Sequence, residues 1–217
     1  MTNIRTAVLG AGHLGTYHAE KYFLIENVDL VAVCDINQSA GERVALKYGA
    51  AFISDYRELL GTIDAITIAT DTCTHFELAQ FFLENGVHVL VEKPMTTTSK
   101  EAQKLTVIAE ANDLRLQVGH IERFNPALLS ARKKLGKVQF IECHRLAPFK
   151  GRGADVDVVL DLMIHDLDVI LSLVEGTPRS VSAVGISVLT NTADIANARI
   201  EFSNGAIANV TASRVST

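Results

Sequence analysis

Three groups of residues in this chain have the types and spacing that chemistry at a bound cofactor requires. The first is a glycine-rich run, Gly10-Ala11-Gly12-His13-Leu14-Gly15, which matches the pattern G-x-G-x-x-G. It follows an apolar run, Ile4 to Leu9, that predicts a strand, and it opens a predicted helix. Glycines at these positions let the backbone approach a pyrophosphate, and the N–H groups of a helix N-terminus attract its charge. The run therefore predicts a dinucleotide site.

An acidic residue, Asp35, follows the second predicted strand, Val28 to Cys34. An acid at this place accepts hydrogen bonds from the ribose hydroxyls of adenosine and repels a 2′-phosphate. We therefore expect NAD as the cofactor and regard NADP as the less suitable one. The structural alternative is a tight strand-to-helix turn beside an unrelated aspartate.

The second group is Glu92-Lys93-Pro94, directly after a predicted strand, Val87 to Val91. Ligands of open α/β sheets bind at the carboxyl ends of the strands, so Lys93 should lie on the cofactor side. A lysine near a nicotinamide could hydrogen-bond a substrate hydroxyl and shuttle its proton. Pro94 restricts Lys93 to an extended backbone and permits a cis bond. The alternative is a solvated lysine before a proline that leads into a helix.

The third group lies on a long predicted helix, Val156 to Val174, which is largely apolar. Its polar residues are spaced three or four apart and so share one face: Asp157, Asp161, His165, Asp168 and Ser172. That face should meet water, a partner or a cavity. A hydrogen bond between Asp161 and His165 would fix the histidine tautomer and raise its basicity. A metal site on this helix is disfavoured because one helix turn rarely supplies all the ligands, and we expect no metal.

Strand and helix patterns alternate through residues 1–120, which predicts a doubly wound (Rossmann) α/β domain with a parallel sheet. The further predicted strands are Ala51 to Ile53, Asp64 to Ala69 and Arg115 to Gly119. The predicted helices are His13 to Ile25, Asn37 to Tyr48, Asp55 to Leu60, Thr74 to Glu84 and Ser99 to Asn112, with Asn37 and Ser99 as N-caps.

The alternation ends after Gly119, and residues 121–217 predict an α+β domain with a mostly antiparallel sheet. A helix is expected at Pro126 to Leu135. Strands are expected at Val138 to Leu146, Ser180 to Leu189, Ile195 to Phe202 and Ala206 to Ser213, with a hairpin turn at Ser203-Asn204-Gly205.

Composition narrows the class of protein. The chain has 217 residues, 48% of them hydrophobic, which is typical of a folded globular protein. Its net charge of −5 argues against a nucleic-acid partner, and no apolar run reaches the roughly 20 residues that span a membrane. The N-terminus makes a poor signal peptide. The cysteines Cys34, Cys73 and Cys143 fit buried free thiols in a reducing compartment, so we expect a cytoplasmic protein.

Taken together, these motifs resemble the Gfo/Idh/MocA family, named after glucose–fructose oxidoreductase, inositol dehydrogenase and a rhizopine-catabolism protein. The matching residues are Gly10 to Gly15, Asp35, Thr74-His75, Gly86 to Pro94, Arg123 to Pro126, and Asp161-x-x-x-His165-x-x-Asp168. The resemblance implies an NAD(P)-dependent oxidoreductase that acts on sugars or cyclitols. It implies that Lys93 and His165 share the acid/base work with Asp161 nearby, and that Thr70, His75, Glu92 and Lys93 lie along the cofactor.

The segment Val118 to Pro126 is similar to the nucleotide-sugar branch of that family, which includes UDP-N-acetylglucosamine 3-dehydrogenases. We therefore expect a small sugar or nucleotide-sugar substrate, met by Arg123, Asn125 and Asp168. Arg145 and Arg152 are further candidates, although surface charge explains these two slightly better.

Family members generally continue beyond the point where this sequence stops. The resemblance thus implies a substrate-binding domain that is incomplete relative to the family, and a homo-oligomer, dimer or tetramer, assembled through the C-terminal sheet. Two alternatives stay open at this point. One is a non-catalytic NAD-binding sensor or regulatory protein, and the other is a dehydrogenase or reductase of amino-acid metabolism on a similar two-domain plan.

Overall fold

The computed structural model describes residues 3–149 and 156–216. The chain divides into two compact units, residues 1–119 and 120–217.

The first unit is built on a six-stranded sheet in the order β3-β2-β1-β4-β5-β6, in which every pair of neighbours is parallel. Its strands are β1 Ile4–Leu9, β2 Val28–Cys34, β3 Ala51–Ile53, β4 Ala65–Ile68, β5 His88–Val91 and β6 Leu116–Val118. Its helices are α1 His13–Leu24, α2 Gln38–Tyr48, α3 Thr72–Glu84 and α4 Ser99–Ala111. The predicted doubly wound α/β domain is confirmed, and the strand order reverses between β1 and β4, where such sheets bind their ligands.

Both faces of this sheet are covered, which explains why its strands are apolar throughout. On one face Val8 and Val33 pack against residues of α1 and α2, including Ala19 and Val44. On the other face the strands pack against α3 and α4, where Phe82 is completely buried. The two layers hold the carboxyl ends of the strands rigidly at one edge, and the candidate site residues follow those ends.

Two helix starts test the capping predictions. Asn37 caps α2 as expected, its side chain accepting a hydrogen bond from the N–H of Ala40 at 3.1 Å. The prediction that Ser99 caps the fourth helix is wrong: Thr98 is the cap, because its hydroxyl and the Glu101 carboxylate bind each other's backbone N–H groups. The predicted helix Asp55 to Leu60 is a single 3-10 turn, Tyr56–Leu59.

The second unit is built on a four-stranded sheet in the order β7-β10-β9-β8. Its strands are β7 Phe140–Leu146, β8 Pro178–Ile186, β9 Ile195–Phe202 and β10 Ile207–Ser213. The neighbours β8 and β9, and β9 and β10, are antiparallel, whereas β7 runs parallel to β10. A mostly antiparallel sheet is confirmed, as is the turn between the last two strands, where Gly205 has φ +84°.

The long helix predicted at Val156 to Val174 is interrupted. A π-helical turn, Val159–Met163, leads into α6, Ile164–Leu173. Asp157 explains the start of this segment, because its carboxylate accepts hydrogen bonds from the N–H groups of Val159 and Leu160, both at 3.0 Å. Asp157 therefore caps the segment rather than continuing a polar stripe. The helix predicted at Pro126 to Leu135 is the shorter α5, Pro126–Arg132.

The core of the second unit lies between α6, the π turn and one face of the sheet. Its sheet side alternates along β9 and β10, with Ile200, Phe202 and Val210 buried. The edge strand β8 differs, because all nine of its residues are exposed. No helix in the described part of the chain is long and apolar enough to cross a membrane.

A buried ion pair stabilises one end of the four-stranded sheet. Asp194 is 0% exposed, and its carboxylate accepts a hydrogen bond from Nε of Arg214 at 2.8 Å. Burial by itself raises the pKa of Asp194, but hydrogen bonds from the backbone N–H groups of Thr190 and Val188 and from Arg214 outweigh it and hold this pKa well below its usual range. The charged carboxylate therefore contributes to the stability of this unit.

The expectation of three buried thiols is wrong for one cysteine. Cys34 is buried, Cys143 is partly buried and Cys73, in the first turn of α3, is exposed. Burial raises the pKa of Cys34 to about 12 and also raises the pKa of Cys143. Helical periodicity explains the exception, since Cys73 lies two residues before the buried His75 and thus on the opposite side of α3.

Candidate active site

The three glycines of the run between β1 and α1 have different structural roles. Gly10 has φ +92°, and a Cβ there would meet the carbonyl group of Ala69. A Cβ at Gly15 would overlap the carbonyl oxygen of Gly10. A Cβ at Gly12, by contrast, would have no protein atom within 4 Å. The fold thus requires glycine at the first and third positions, whereas the second leaves open space that a ligand can fill.

The same loop offers donors for an anion. Gly12 is the N-cap of α1 and makes no side-chain capping bond, so the first N–H groups of this helix receive no side-chain cap there. Asp35 lies beside the loop, where its carboxylate accepts hydrogen bonds from the N–H of Ala11 at 2.5 Å and of Asn37 at 2.6 Å. An uncapped helix N-terminus, an open glycine and a neighbouring carboxylate fit the pyrophosphate and ribose of a dinucleotide.

Thr70 and His75 lie at the end of β4 and in α3. The Thr70 hydroxyl is 2.7 Å from that of Thr74. His75 is 1% exposed, and its Nε2 lies 3.0 Å from the carbonyl oxygen of Thr70 while its Nδ1 lies 2.8 Å from that of Pro94. The placement of both residues along the cofactor stays a prediction. The geometry itself shows a buried imidazole between two backbone carbonyls.

Glu92 and Lys93 follow β5, and the bond between Lys93 and Pro94 is cis. One carboxylate oxygen of Glu92 lies 2.7 Å from Nε2 of His18, which belongs to α1, and the other accepts a weaker hydrogen bond from the N–H of Lys93 at 3.3 Å. Gly119 makes room for this carboxylate, because a Cβ there would lie 2.8 Å from it. Lys93, Gly10, Asp35 and Thr70 all follow the carboxyl ends of strands of one sheet, as the sequence predicts.

His18 and Gly119 were not identified from the sequence. His18 lies within a helix whose motif ends at Gly15, and its partner is 74 residues further along the chain. A histidine at such a place has no local signal. Gly119 comes at the end of a predicted strand, where a glycine is ordinarily explained by the turn that follows.

In the second unit, Asp161 and His165 are both partly buried. Asp161 belongs to the π turn and His165 to the first turn of α6. The π turn runs directly into α6, so the two residues are four positions apart on one continuous helical segment. A π turn inside a helix is rare and is frequent at functional sites. In the described residues, no cluster of three or more His, Cys, Asp or Glu side chains is arranged to hold a metal ion.

Two of the three predicted substrate residues of this unit, Arg123 and Asp168, contact each other. Arg123 makes a bidentate ion pair with Asp168, with its Nε 2.8 and 2.9 Å from the two carboxylate oxygens. The hydrogen bonds that Arg123 donates to the Asp168 carboxylate raise the pKa of Arg123. Asn125 caps α5 by accepting a hydrogen bond from the N–H of Ala127. Arg145 makes a similar pair with Asp166, and Arg152 lies outside the described residues.

Comparison with protein families gives two matches that cover most of the chain. Residues 4–120 match the model described as "Oxidoreductase family, NAD-binding Rossmann fold". Residues 129–217 match the model described as "GFO/IDH/MocA C-terminal domain".

Two curated proteins are similar over nearly the whole chain. UDP-N-acetylglucosamine 3-dehydrogenase of Acidithiobacillus ferrooxidans is 43% identical over 99% of this chain and 68% of its own length. scyllo-Inositol 2-dehydrogenase (NAD(+)) of Bacillus subtilis is 32% identical over 98% of this chain and 68% of its own length. The chain therefore spans about two thirds of the length of these relatives.

Solved structures agree with the observed fold. The structure of UDP-N-acetylglucosamine 3-dehydrogenase from Acidithiobacillus ferrooxidans matches with a TM-score of 0.92 at 42% identity, over 99% of this chain and 71% of that one. The structure of GenD2 from gentamicin A biosynthesis, in complex with NAD, matches with a TM-score of 0.90 at 26% identity, over 100% of this chain and 67% of that one.

Proposed function

Because this chain belongs to the Gfo/Idh/MocA family of NAD-binding oxidoreductases, we propose that it is a dehydrogenase of a nucleotide sugar, with UDP-N-acetylglucosamine as the first substrate to test. One observation carries the proposal: Lys93 follows the carboxyl end of a strand in the same sheet as the glycine run and Asp35, which are the proposed dinucleotide site. The choice of sugar is supported by the relative of that name, which is 43% identical.

The first unit would hold the cofactor. The open position at Gly12 and the N-terminus of α1 would bind the pyrophosphate, and Asp35 the adenosine ribose. When bound, NAD supplies the acceptor for a hydride from the sugar carbon. Thr70, His75 and Glu92 are proposed to lie along it.

The proton chemistry would belong to Lys93 and His165. As the hydroxyl carbon of the sugar is oxidised to a carbonyl, its O–H proton must leave, and a lysine or histidine nitrogen can accept it. Asp161 would orient His165 and support its role as a base. Arg123, Asn125 and Asp168 would contact sugar hydroxyls or phosphate. The protein's contribution is then position and proton transfer.

We propose a homo-oligomer in the cytoplasm. The edge strand β8 is exposed over its whole length, and its Val181, Val184 and Ile186 are each more than half exposed, which suits contact between copies through this sheet. Three free cysteines suit a reducing compartment.

The test is NAD reduction, followed at about 340 nm with a panel of UDP-sugars, together with calorimetric binding of NAD and NADP. Turnover of one UDP-sugar, with NAD bound more tightly than NADP, is expected. Lys93→Met should keep NAD binding and lose most turnover, whereas Lys100→Met, at an exposed site on α4, should change neither. Tight NAD binding without turnover of any UDP-sugar would refute the proposed nucleotide-sugar dehydrogenase and favour a sensor.

A further inference from the structure

The imidazole of His75 joins two loops of the first unit. Its Nε2 lies 3.0 Å from the carbonyl oxygen of Thr70, which follows β4. Its Nδ1 lies 2.8 Å from the carbonyl oxygen of Pro94, which follows Lys93 after β5. The strands β4 and β5 are parallel neighbours, so a single side chain from α3 bridges the two adjacent loops at the carboxyl edge of the sheet.

Both contacts are to oxygens that only accept hydrogen bonds. The ring is 1% exposed, and a buried backbone acceptor without a donor is unfavourable. A neutral imidazole carries one N–H and can donate to only one of the two carbonyls. The shorter contact, 2.8 Å to the Pro94 carbonyl directly after Lys93, assigns this N–H to Nδ1. Burial of the ring beneath the edge also means that the ring acts through the backbone it holds.

We propose that His75 is a positioning residue for Lys93: by holding the Pro94 carbonyl it fixes the backbone from which the lysine side chain reaches the reacting hydroxyl. This inference rests on the proposed function, because it takes Lys93 as the proton carrier. Lysine has a flexible four-carbon chain, so the location of its nitrogen depends on a firmly placed backbone. A misplacement of about 1 Å can reduce catalysis about 100-fold.

The residue before Lys93 is held in a similar way from another helix. The carboxylate of Glu92 lies 2.7 Å from Nε2 of His18 in α1 and is 12% exposed. The backbone on each side of Lys93 is thus attached to a histidine, through the Glu92 side chain to α1 and through the Pro94 carbonyl to α3. His75 makes the attachment to the main chain itself, and so it is the one whose loss should move the loop.

Two substitutions separate the two contacts of the ring. The amide nitrogen of asparagine can take the place of Nδ1, and that of glutamine can take the place of Nε2. His75→Asn keeps a donor toward Pro94 and gives up the contact with Thr70, whereas His75→Gln places a donor toward Thr70 and gives up the one toward Pro94. We expect kcat to fall about threefold in His75→Asn and about 10- to 100-fold in His75→Gln. The Kd of NAD should change by the same factor in both variants, because both remove the same imidazole, and Glu77→Gln, at an exposed site on the same helix, is the matched control.

Hydrogen exchange measures the same effect without activity. The backbone amides of residues 92, 93 and 95–97 should exchange faster in His75→Gln than in His75→Asn, and those of residues 69–73 should show the opposite order. If the wild-type chain turned over no sugar, the proposed function would fail, while this crossed pattern would still decide whether His75 holds the Lys93 loop. Equal exchange in the two variants, or a kcat in His75→Gln no lower than in His75→Asn, would overturn the inference.

Discussion

Replacing Gly12 by alanine separates folding from cofactor binding. The backbone of Gly12, with φ −71° and ψ −161°, suits alanine, and the added Cβ has no neighbour within 4 Å. Alanine is a poorer N-cap than glycine, but it also restricts the unfolded chain, so the net change in the free energy of unfolding should be within about 1 kcal/mol. The methyl group would fill the space left for the pyrophosphate. Losing one charge-assisted hydrogen bond, about 1.5–3 kcal/mol, corresponds to roughly a 10- to 150-fold weaker affinity.

The assay combines titration calorimetry with NAD and thermal unfolding without it. Gly12→Ala should bind NAD at least about tenfold more weakly, with a Tm within about 4 °C of the wild type. Gly136→Ala, where the Cβ also has no neighbour within 4 Å, should change neither quantity. Gly15→Ala should instead lower the Tm, because its Cβ overlaps the carbonyl oxygen of Gly10. If Gly12→Ala bound NAD as tightly as the wild type, the assignment of this loop to the pyrophosphate would be wrong.

Three further predictions concern the core, the thiols and the acid response. Phe82→Ala, at a fully buried side chain, should lower the free energy of unfolding in urea by about 3–5 kcal/mol. Ile36→Ala, at a fully exposed side chain, should leave it unchanged. An aromatic disulfide reagent at pH 8 should label Cys73 rapidly and Cys34 slowly. The rapid phase should be absent in Cys73→Ser, and a rapid phase that persists in this variant would contradict the prediction. Because the pKa of Asp194 is lowered on folding, its contribution to stability is present above about pH 4 and is lost as the pH falls further. Asp194→Asn should therefore reduce the free energy of unfolding at pH 7 and make it depend less on pH in the acid range. A pH profile of the variant that runs parallel to that of the wild type would count against this role.

The elements that could be predicted are those with local signals. The strand, glycine run and helix from Ile4 to Leu24 follow from apolar runs and glycines that are adjacent in sequence. The correct cap of α4 can also be predicted from the sequence, because Thr98 precedes Glu101 by three residues, which is the spacing of a capping box. Ser99 is the neighbouring hydroxyl, but the residue three places after it is Ala102, which has no carboxylate to complete a capping box.

The features that were missed depend on contacts between distant residues. His18 contacts Glu92, which lies 74 residues further along the chain. The strand β7 pairs in parallel with β10, and no sequence pattern specifies that pairing. The π turn before α6 likewise breaks a periodicity that looks continuous in the sequence. His75 is intermediate: it shares the buried face of α3 with Leu78, Ala79 and Phe82, so its burial was predictable while its two carbonyl partners were not.

The pairing of β7 with β10 affects the order in which the two units fold while the chain is being synthesised. Phe140 in β7 lies opposite Ile207 in β10, and each β7 residue up to Leu146 has its partner in that strand. A ribosome would therefore complete nearly the whole second unit before β7 could find its neighbour. The first unit pairs its strands among residues 4–118 and can close earlier. During synthesis, domain-by-domain folding would thus leave the second unit as the part exposed longest to chaperones and to aggregation.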